Sequence, residues 1–332
     1  MSLDYQHISV LGKEIIEYLK PQPNQNFVDC TLGGGGHTEK ILQRTGPQGK
    51  VLAFERDQRA IEAASRRLKK YQNRLIIINQ NYVHLEEEII RHRQEIAEIS
   101  GIILDLGLSS DQLDQAGRGF SFKDQGHLDM RFDPNSQKVT ASDIVLTWPE
   151  DKLVKIFREY GEIRQAKKIA QGIVAWQKAP TVEKQKSNIL QTSVFVSTIL
   201  RILNIKPDNL KRYRIHPATQ IFQSLRIAVN DELNNLKQVL PQALEVLAYR
   251  GRLAVISFHS LEDRIVKDYF KAIAKTCVCP PAAPICTCHH QAEINIINKK
   301  PLRPTAEEIS VNPRSRSALL RVAEKIKHPS IP

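Results

Sequence analysis

No apolar run approaches the roughly 20 residues that a bilayer-spanning helix needs, so the chain reads as having no membrane partner. The first residues, MSLDYQHISVLGKEI, lack a basic segment leading into an apolar one, so they do not read as a secretory signal. Cysteine is scarce, five in 332 residues. Four of the five crowd into 277–288, which is not the spacing of a disulfide framework and fits a reducing, cytoplasmic setting. Internal repeats and low-complexity tracts are absent as well. The motif G-K-[ST] of a phosphate-binding loop is missing, which excludes the usual cradle for a nucleoside triphosphate.

What remains is ordinary globular composition, 41% hydrophobic and 25% charged, with an uneven surplus of positive charge. The formal net charge is +12. Residues 151–214 hold 14 Lys/Arg against 5 Asp/Glu, and residues 299–328 hold 8 against 3. A surplus of this size and clustering points to a polyanionic partner, nucleic acid ahead of a merely solvated surface.

The first hundred residues alternate strand and helix signals. FVDCTL (27–32), VLAFERD (51–57), LIIINQN (75–81) and GIILDLG (101–107) are short apolar runs. HTEKILQRTG (37–46), QRAIEAASRRLKKY (58–71) and VHLEEEIIRHRQEI (83–96) have helical spacing. Such alternation predicts a mostly parallel, doubly wound α/β sheet covered on both faces. The pattern lapses in the Gly/Asp/Ser-rich stretch 109–137, is helical only from about 141 to 251, and resumes with the strand RLAVISFHS (252–260). INIINKK (294–300) and SALLRVAEK (317–325) can pair as terminal strands. The expected organisation is a sheet domain from 1–112 and 215–332, interrupted by a basic all-helical substrate-recognition insertion at 113–214.

Four glycines, 33–36, follow the first strand within DCTLGGGGHT (29–38). In a doubly wound sheet that loop sits at the ligand-binding edge, where glycine lets backbone approach a ligand. Glu55 ends the second strand 20 residues beyond Gly35, the offset at which an acid reaches ribose hydroxyls. Tyr82 follows strand three and Asp105 ends strand four, suited to an adenine ring and an amine. The third position of G-x-G-x-x-G is Thr38, and Asp29 is a poor neighbour for a pyrophosphate. An acid there suits a cofactor bearing an ammonium and a sulfonium, which favours S-adenosylmethionine over NAD.

The run DCTLGGGGHT, with LDLGLSSDQLD (104–114), GRGFSF (117–122), LDMRFD (128–133), HPATQIFQSLRIAVNDEL (216–233), ISFHSLEDRIVK (256–267) and NPRSRSALLR (312–321), resembles the ribosomal RNA small-subunit methyltransferase H family, also called RsmH or MraW. The likeness runs from about residue 5 to 325. It implies a Rossmann-like class I methyltransferase that moves a methyl group from S-adenosylmethionine to the exocyclic N4 of a decoding-region cytidine of 16S rRNA, cytidine 1402. The substrate is then 16S rRNA or the small (30S) ribosomal subunit. Carried over by motif, the cofactor contacts fall on Gly35, Gly36, His37, Glu55, Tyr82, Asp105 and Gln112. Family members often have Asp where this chain has Glu55, and commonly Phe where it has Tyr82.

A cytosine amine is a weak nucleophile because its lone pair is delocalised. The enzyme's task is to align nitrogen, methyl carbon and sulfur, and to accept hydrogen bonds from the amine. Asp105 is the candidate catalytic residue for that, with holding the cofactor's adenosine as its competing role. Phe120 or Phe122 is a candidate for stacking on the base. His259 reads equally as a ligand to base or phosphate and as a residue satisfying loop backbone. His216, Arg226 and Asn230 read as a core polar cluster more readily than as cleft residues. Arg314, Arg316 and Arg321 suit phosphates, with Arg314 and Arg316 on one strand face. Lys152, Lys155, Arg158, Lys167, Lys168, Lys211, Arg212 and Arg214 are the larger basic footprint.

The C-x-C spacing of Cys277, Cys279, Cys286 and Cys288 departs from the C-x-x-C of structural zinc knuckles, so no metal ligand is assigned. Two other classes stay open on sequence: a methyltransferase acting on DNA or protein, and a non-catalytic ribosome-assembly factor.

Overall fold

The computed structural model describes residues 9–108, 117–122, 125–179, 190–213, 215–279, 285, 287–288 and 290–327. The chain divides into two compact units, Met1–Gly107 with Leu233–Pro332, and Leu108–Glu232.

The first unit carries a seven-stranded sheet built from β1 (Asn26–Asp29), β2 (Val51–Phe54), β3 (Leu75–Ile78), β4 (Ile99–Asp105), β5 (Leu247–Ser257), β6 (Ile294–Ile296) and β7 (Leu319–Lys325). Their spatial order is β3-β2-β1-β4-β5-β7-β6. Strands β1 to β5 run parallel, while β7 is antiparallel to both β5 and β6. This is an α/β Rossmann-like fold, and the two terminal strands pair as their patterns predict.

Period-two alternation explains why the strands are apolar throughout. Val28, Leu52, Leu104 and Val255 point into one hydrophobic layer with Phe270. Their neighbours Phe27, Val51, Ile103 and Ala254 point into the opposite layer with Ile15 and Ile41. Both layers are fully excluded from water at these positions. From β1 the chain winds outward to β2 and β3, and from β4 it winds the other way to β5. The topological switch point therefore lies between β1 and β4, where Asp29 pairs in register with Ile103.

The second unit is helical: α-helices at Ala141–Thr147, Glu150–Glu159, Ala166–Gln177, Thr192–Ile202 and Thr219–Asn230 surround their own core. Leu153, Ile156 and Phe157 give one helix a buried stripe at helical spacing. Thr140 and Asp143 form a reciprocal capping box that starts the first of them. This unit is longer than the expected 113–214 insertion. The HPATQIF helix belongs to it because Ile221, Phe222 and Leu225 complete its core.

Several motif residues are spent on holding this unit together. Asn230 Nδ2 donates to the Met130 carbonyl at 2.7 Å, and its Oδ1 accepts from the Phe132 amide at 2.9 Å. Asp129 accepts from the Arg131 backbone amide and from its guanidinium at 2.7 Å. Arg226 pairs bidentately with Glu232, both distances 2.9 Å. His216 stacks on Phe122, with centroids 4.6 Å apart, and accepts from the Ala218 amide. Burial also lowers its pKa from the usual histidine value. The core-cluster reading of His216, Arg226 and Asn230 thus matches their contacts.

Candidate active site

The site is assembled where four parallel strands end on one sheet edge. Asp29 is the last residue of β1 and Asp105 the last of β4, while Glu55 follows β2 directly. Tyr82 opens a short 3-10 turn, Tyr82–His84, just beyond β3. The glycine loop is fastened to the strands on either side. The Cys30 amide donates to the Ile103 carbonyl and the Leu32 amide to the Phe54 carbonyl, both at 2.9 Å.

Buried polar atoms then fix the loop's shape. Asp29, 1% exposed, accepts from the Thr38 hydroxyl at 2.7 Å and from the Thr31 amide at 3.0 Å. The Thr31 hydroxyl in turn accepts from the Asp105 amide at 2.6 Å, linking the ends of β1 and β4. Thr31 and Thr38 are site residues that sequence reasoning does not assign. The Thr31–Asp105 link spans 74 positions, so no local pattern announces it.

The glycines divide into two kinds. Gly33 and Gly35 have left-handed backbones, φ 49° and 76°, which a side chain opposes. At Gly35 a Cβ would also stand 2.9 Å from Leu68 Cδ1, and at Gly36 a Cβ would collide with Ser9 Oγ. At Gly35 the left-handed backbone favours glycine, and at both positions Leu68 or Ser9 would have to move to admit a side chain. Gly35 precedes the helix Gly36–Arg44, whose start no side chain caps, so its first backbone amides are available to an acceptor.

Glu55 curls back on its own loop. One carboxylate oxygen accepts from the Gly33 amide at 2.9 Å, and the other from the Arg56 and Asp57 amides at 2.8 and 2.9 Å. A carboxylate offers about four acceptor positions. In this conformation one is left for a ligand, rather than a pair for two ribose hydroxyls. Burial raises the Glu55 pKa above the usual carboxylate range, opposed by these amides.

His37 and Asp105 face each other. The His37 ring is buried, with Nε2 3.3 Å from Asp105 Oδ2. Yet both His37 nitrogens and Asp105 Oδ1 are buried without a hydrogen-bond partner among the described residues. Buried polar atoms of that kind are costly unless something satisfies them. An acceptor-rich edge with unspent capacity at Asp105 and Glu55, an aromatic at Tyr82 and the helix-start amides after Gly35 fits a polar nucleoside carrying cationic groups. Of the expected cofactor contacts, Gly35, Gly36, His37, Glu55, Tyr82 and Asp105 all lie on this edge; Gln112 lies outside the described residues. A cleft of about 460 Å³ at the opposite strand ends, lined by Lys20, Glu98, Arg250 and Arg252, is not this site. Ligands of doubly wound sheets bind at the carboxyl ends.

Two sequence readings change here. Arg321 is buried and donates bidentately to Asp263 at 2.7 and 2.9 Å, so it is not placed to meet a phosphate. Arg314 and Arg316 are exposed, but they sit in the 3-10 turn Pro313–Ser317, not on a strand face. His259 is the N-cap of the helix Ser260–Ile273 in a capping box with Glu262, while its Nε2 is buried without a hydrogen-bond partner among the described residues. Phe120 is buried near Phe132, with centroids 5.9 Å apart.

Burial pushes the Asp29 pKa up from its usual 3.8, against the Thr38 hydroxyl, His37 and the Thr31 amide. A carboxyl that holds its proton more tightly when folded contributes less stability as pH rises through the window above 3.8. Asp29→Asn removes that loss and keeps an acceptor for the Thr31 amide. Its melting temperature at pH 7 is expected to equal or exceed the parent's, with the gap closing as pH falls toward about 4. Thermal melts across that range check it; a variant less stable at pH 7 than at pH 4, relative to the parent, contradicts it.

Comparison with known proteins identifies the family. The model of the MraW methylase family matches residues 4–326. The chain is 43% identical over 324 residues to the ribosomal RNA small subunit methyltransferase H of Heliobacterium mobile, covering 98% of this chain and 100% of that one. It is 44% identical over 323 residues to the protein of that name from Heliobacterium modesticaldum, 97% and 99% covered. With that of Clostridioides difficile it shares 41% identity over 324 residues, 98% and 100% covered.

Proposed function

The chain belongs to the MraW methylase family, and from that premise we propose that it transfers a methyl group from S-adenosylmethionine to the exocyclic N4 of the decoding-region cytidine 1402 of 16S rRNA. One observation carries the cofactor part of this reading: Asp105 and His37 present buried polar atoms, without hydrogen-bond partners among the described residues, beside the glycine loop at the switch point.

When bound, S-adenosylmethionine supplies an activated methyl group, so the protein needs no covalent intermediate. Its own residues bind and orient. The loop amides after Gly35 and the remaining lone pairs of Glu55 and Asp105 would hold the cofactor's polar groups, Tyr82 its ring, and Asp29 and Asp105 its positive charge. Placing the cytosine amine in line with the methyl group is the positioning task left to the protein. Asp105 is the group we assign to accept from that amine, second to its role in holding the adenosine.

The basic surface of the helical unit supports an RNA substrate. Lys152, Lys155, Arg158, Lys167, Lys168, Lys211 and Arg212 are all exposed, and among the described residues none forms an ion pair; Arg214 lies outside them. Exposed cations of this density bind phosphates and give a steep salt dependence. The substrate cytidine must be unstacked for its amine to be reached, which favours a single-stranded or flipped base.

Incubating the chain with tritiated cofactor and, separately, naked 16S rRNA, assembled small subunits, DNA and bulk protein tests this. Label is expected on the rRNA, in one or both of its states, mapping to a single cytidine N4. Label confined to DNA or protein, or no label on any substrate, overturns it.

A further inference from the structure

The connection from the helix ending at Ile273 to β6 at Ile294 carries no helix or strand among its described residues, and it is pinned at its base by the Glu293 amide donating to the Ile273 carbonyl at 2.9 Å. Among its described residues, the large apolar side chains do not account for its course. Val278 and Ile285 are 55% and 75% exposed. The cysteines behave oppositely. The sulfurs of Cys277, Cys279 and Cys288 converge within 4.8 Å of one another, although Cys288 is eleven positions from Cys277.

The spacing of those sulfurs is informative. Cys277 and Cys288 Sγ are 3.8 Å apart. A disulfide needs about 2.05 Å. Two thiolates on one tetrahedral zinc, each with a Zn–S bond of about 2.3 Å, stand about 3.8 Å apart by the geometry of a tetrahedron edge. Backbone amides also point at the sulfurs: Val278 N–H donates to Cys288 Sγ and Cys279 N–H to Cys277 Sγ, both at 3.4 Å. Such N–H···S contacts orient and stabilise metal thiolates as outer-shell partners do elsewhere. The C-x-C spacing, unlike that of a zinc knuckle, does not suggest this. Convergence depends on Cys288 returning to Cys277, which the sequence alone does not disclose.

We propose that Cys277, Cys279 and Cys288 form a structural site for one soft divalent cation, zinc in particular, that closes this loop on itself. The three thiols lose their protons on binding, so occupancy falls as pH is lowered. The cation takes the place of the packing that the exposed Val278 and Ile285 do not supply, and its role is structural.

The test uses the full chain, expressed without a polyhistidine tag in zinc-supplemented medium and kept reduced. Elemental analysis is expected to find about one zinc per chain. After removal of zinc by a chelator, cobalt(II) is expected to give the intense near-ultraviolet thiolate-to-cobalt band, saturating at one equivalent and bleached by added zinc. The double variant Cys277→Ser/Cys288→Ser is expected to lose both zinc and the band, whereas Cys30→Ser, in the buried cysteine of the sheet core, retains both. Protection of the three thiols from alkylation by zinc gives a reading on the unaltered chain, should the double variant fail to fold. Absence of zinc with no cobalt band overturns the proposal, as does a Cys277–Cys288 disulfide that persists under reductant.

Discussion

Asp105→Ala is expected to weaken S-adenosylmethionine binding by about 10- to 100-fold, the loss of a hydrogen bond to a charged group worth roughly 1.5–3 kcal/mol. The residue closes β4 beside the glycine loop, its amide held by Thr31 and its Oδ1 buried with no partner among the described residues. An acceptor so placed has little purpose without a donor from a ligand. The substitution also removes the group facing His37 Nε2 at 3.3 Å, so the loss is not confined to one contact. Titration calorimetry reads the affinity, and single-turnover methylation at saturating cofactor reads the chemistry. If affinity falls and the single-turnover rate stays within a few-fold of the parent's, Asp105 is a cofactor-holding residue. If affinity holds and the single-turnover rate collapses, its primary place is at the cytosine amine and the order of its two roles is reversed.

Arg321→Ala is expected to cost about 3 kcal/mol of stability, and to leave RNA affinity unchanged when measured well below the melting temperature. Arg321 and Asp263 are 9% and 16% exposed at their side chains, and removing one partner of such a pair leaves an uncompensated charge largely out of water. The expected fall in melting temperature is roughly 6–12 °C. Asp263→Ala is expected to match it, because each substitution strands the other partner. A variant that melts with the parent but binds 16S rRNA more weakly contradicts the pairing and returns Arg321 to the phosphates.

These two residues mark the line between what the sequence discloses and what only folding supplies. Asp105 is legible because it ends a strand, and a continuous apolar run that stops at an acid places the strand end without any tertiary knowledge. The same holds for Glu55, set at a fixed offset from the glycines by one βαβ turn. Arg321 misleads because its partner lies 58 positions away; an arginine among arginines looks like a phosphate contact until Asp263 is beside it. The four glycines are legible as a close approach, but the approach at Gly35 and Gly36 is by Leu68 and Ser9. Residues 113–214 read as an insertion from their helical period, yet the unit reaches Glu232 because a helix is assigned by the core it completes. The Thr31 hydroxyl has no local signal, and the clustered cysteines do not disclose that Cys288 returns to Cys277.

The claim on which the rest depends is that the loop between β1 and its following helix receives S-adenosylmethionine. Calorimetric titration of the folded full chain with that cofactor, and with S-adenosylhomocysteine, tests it most directly. One saturable site of equal stoichiometry for both ligands is predicted, weakened by Asp105→Ala. A folded chain that takes up neither compound contradicts the account.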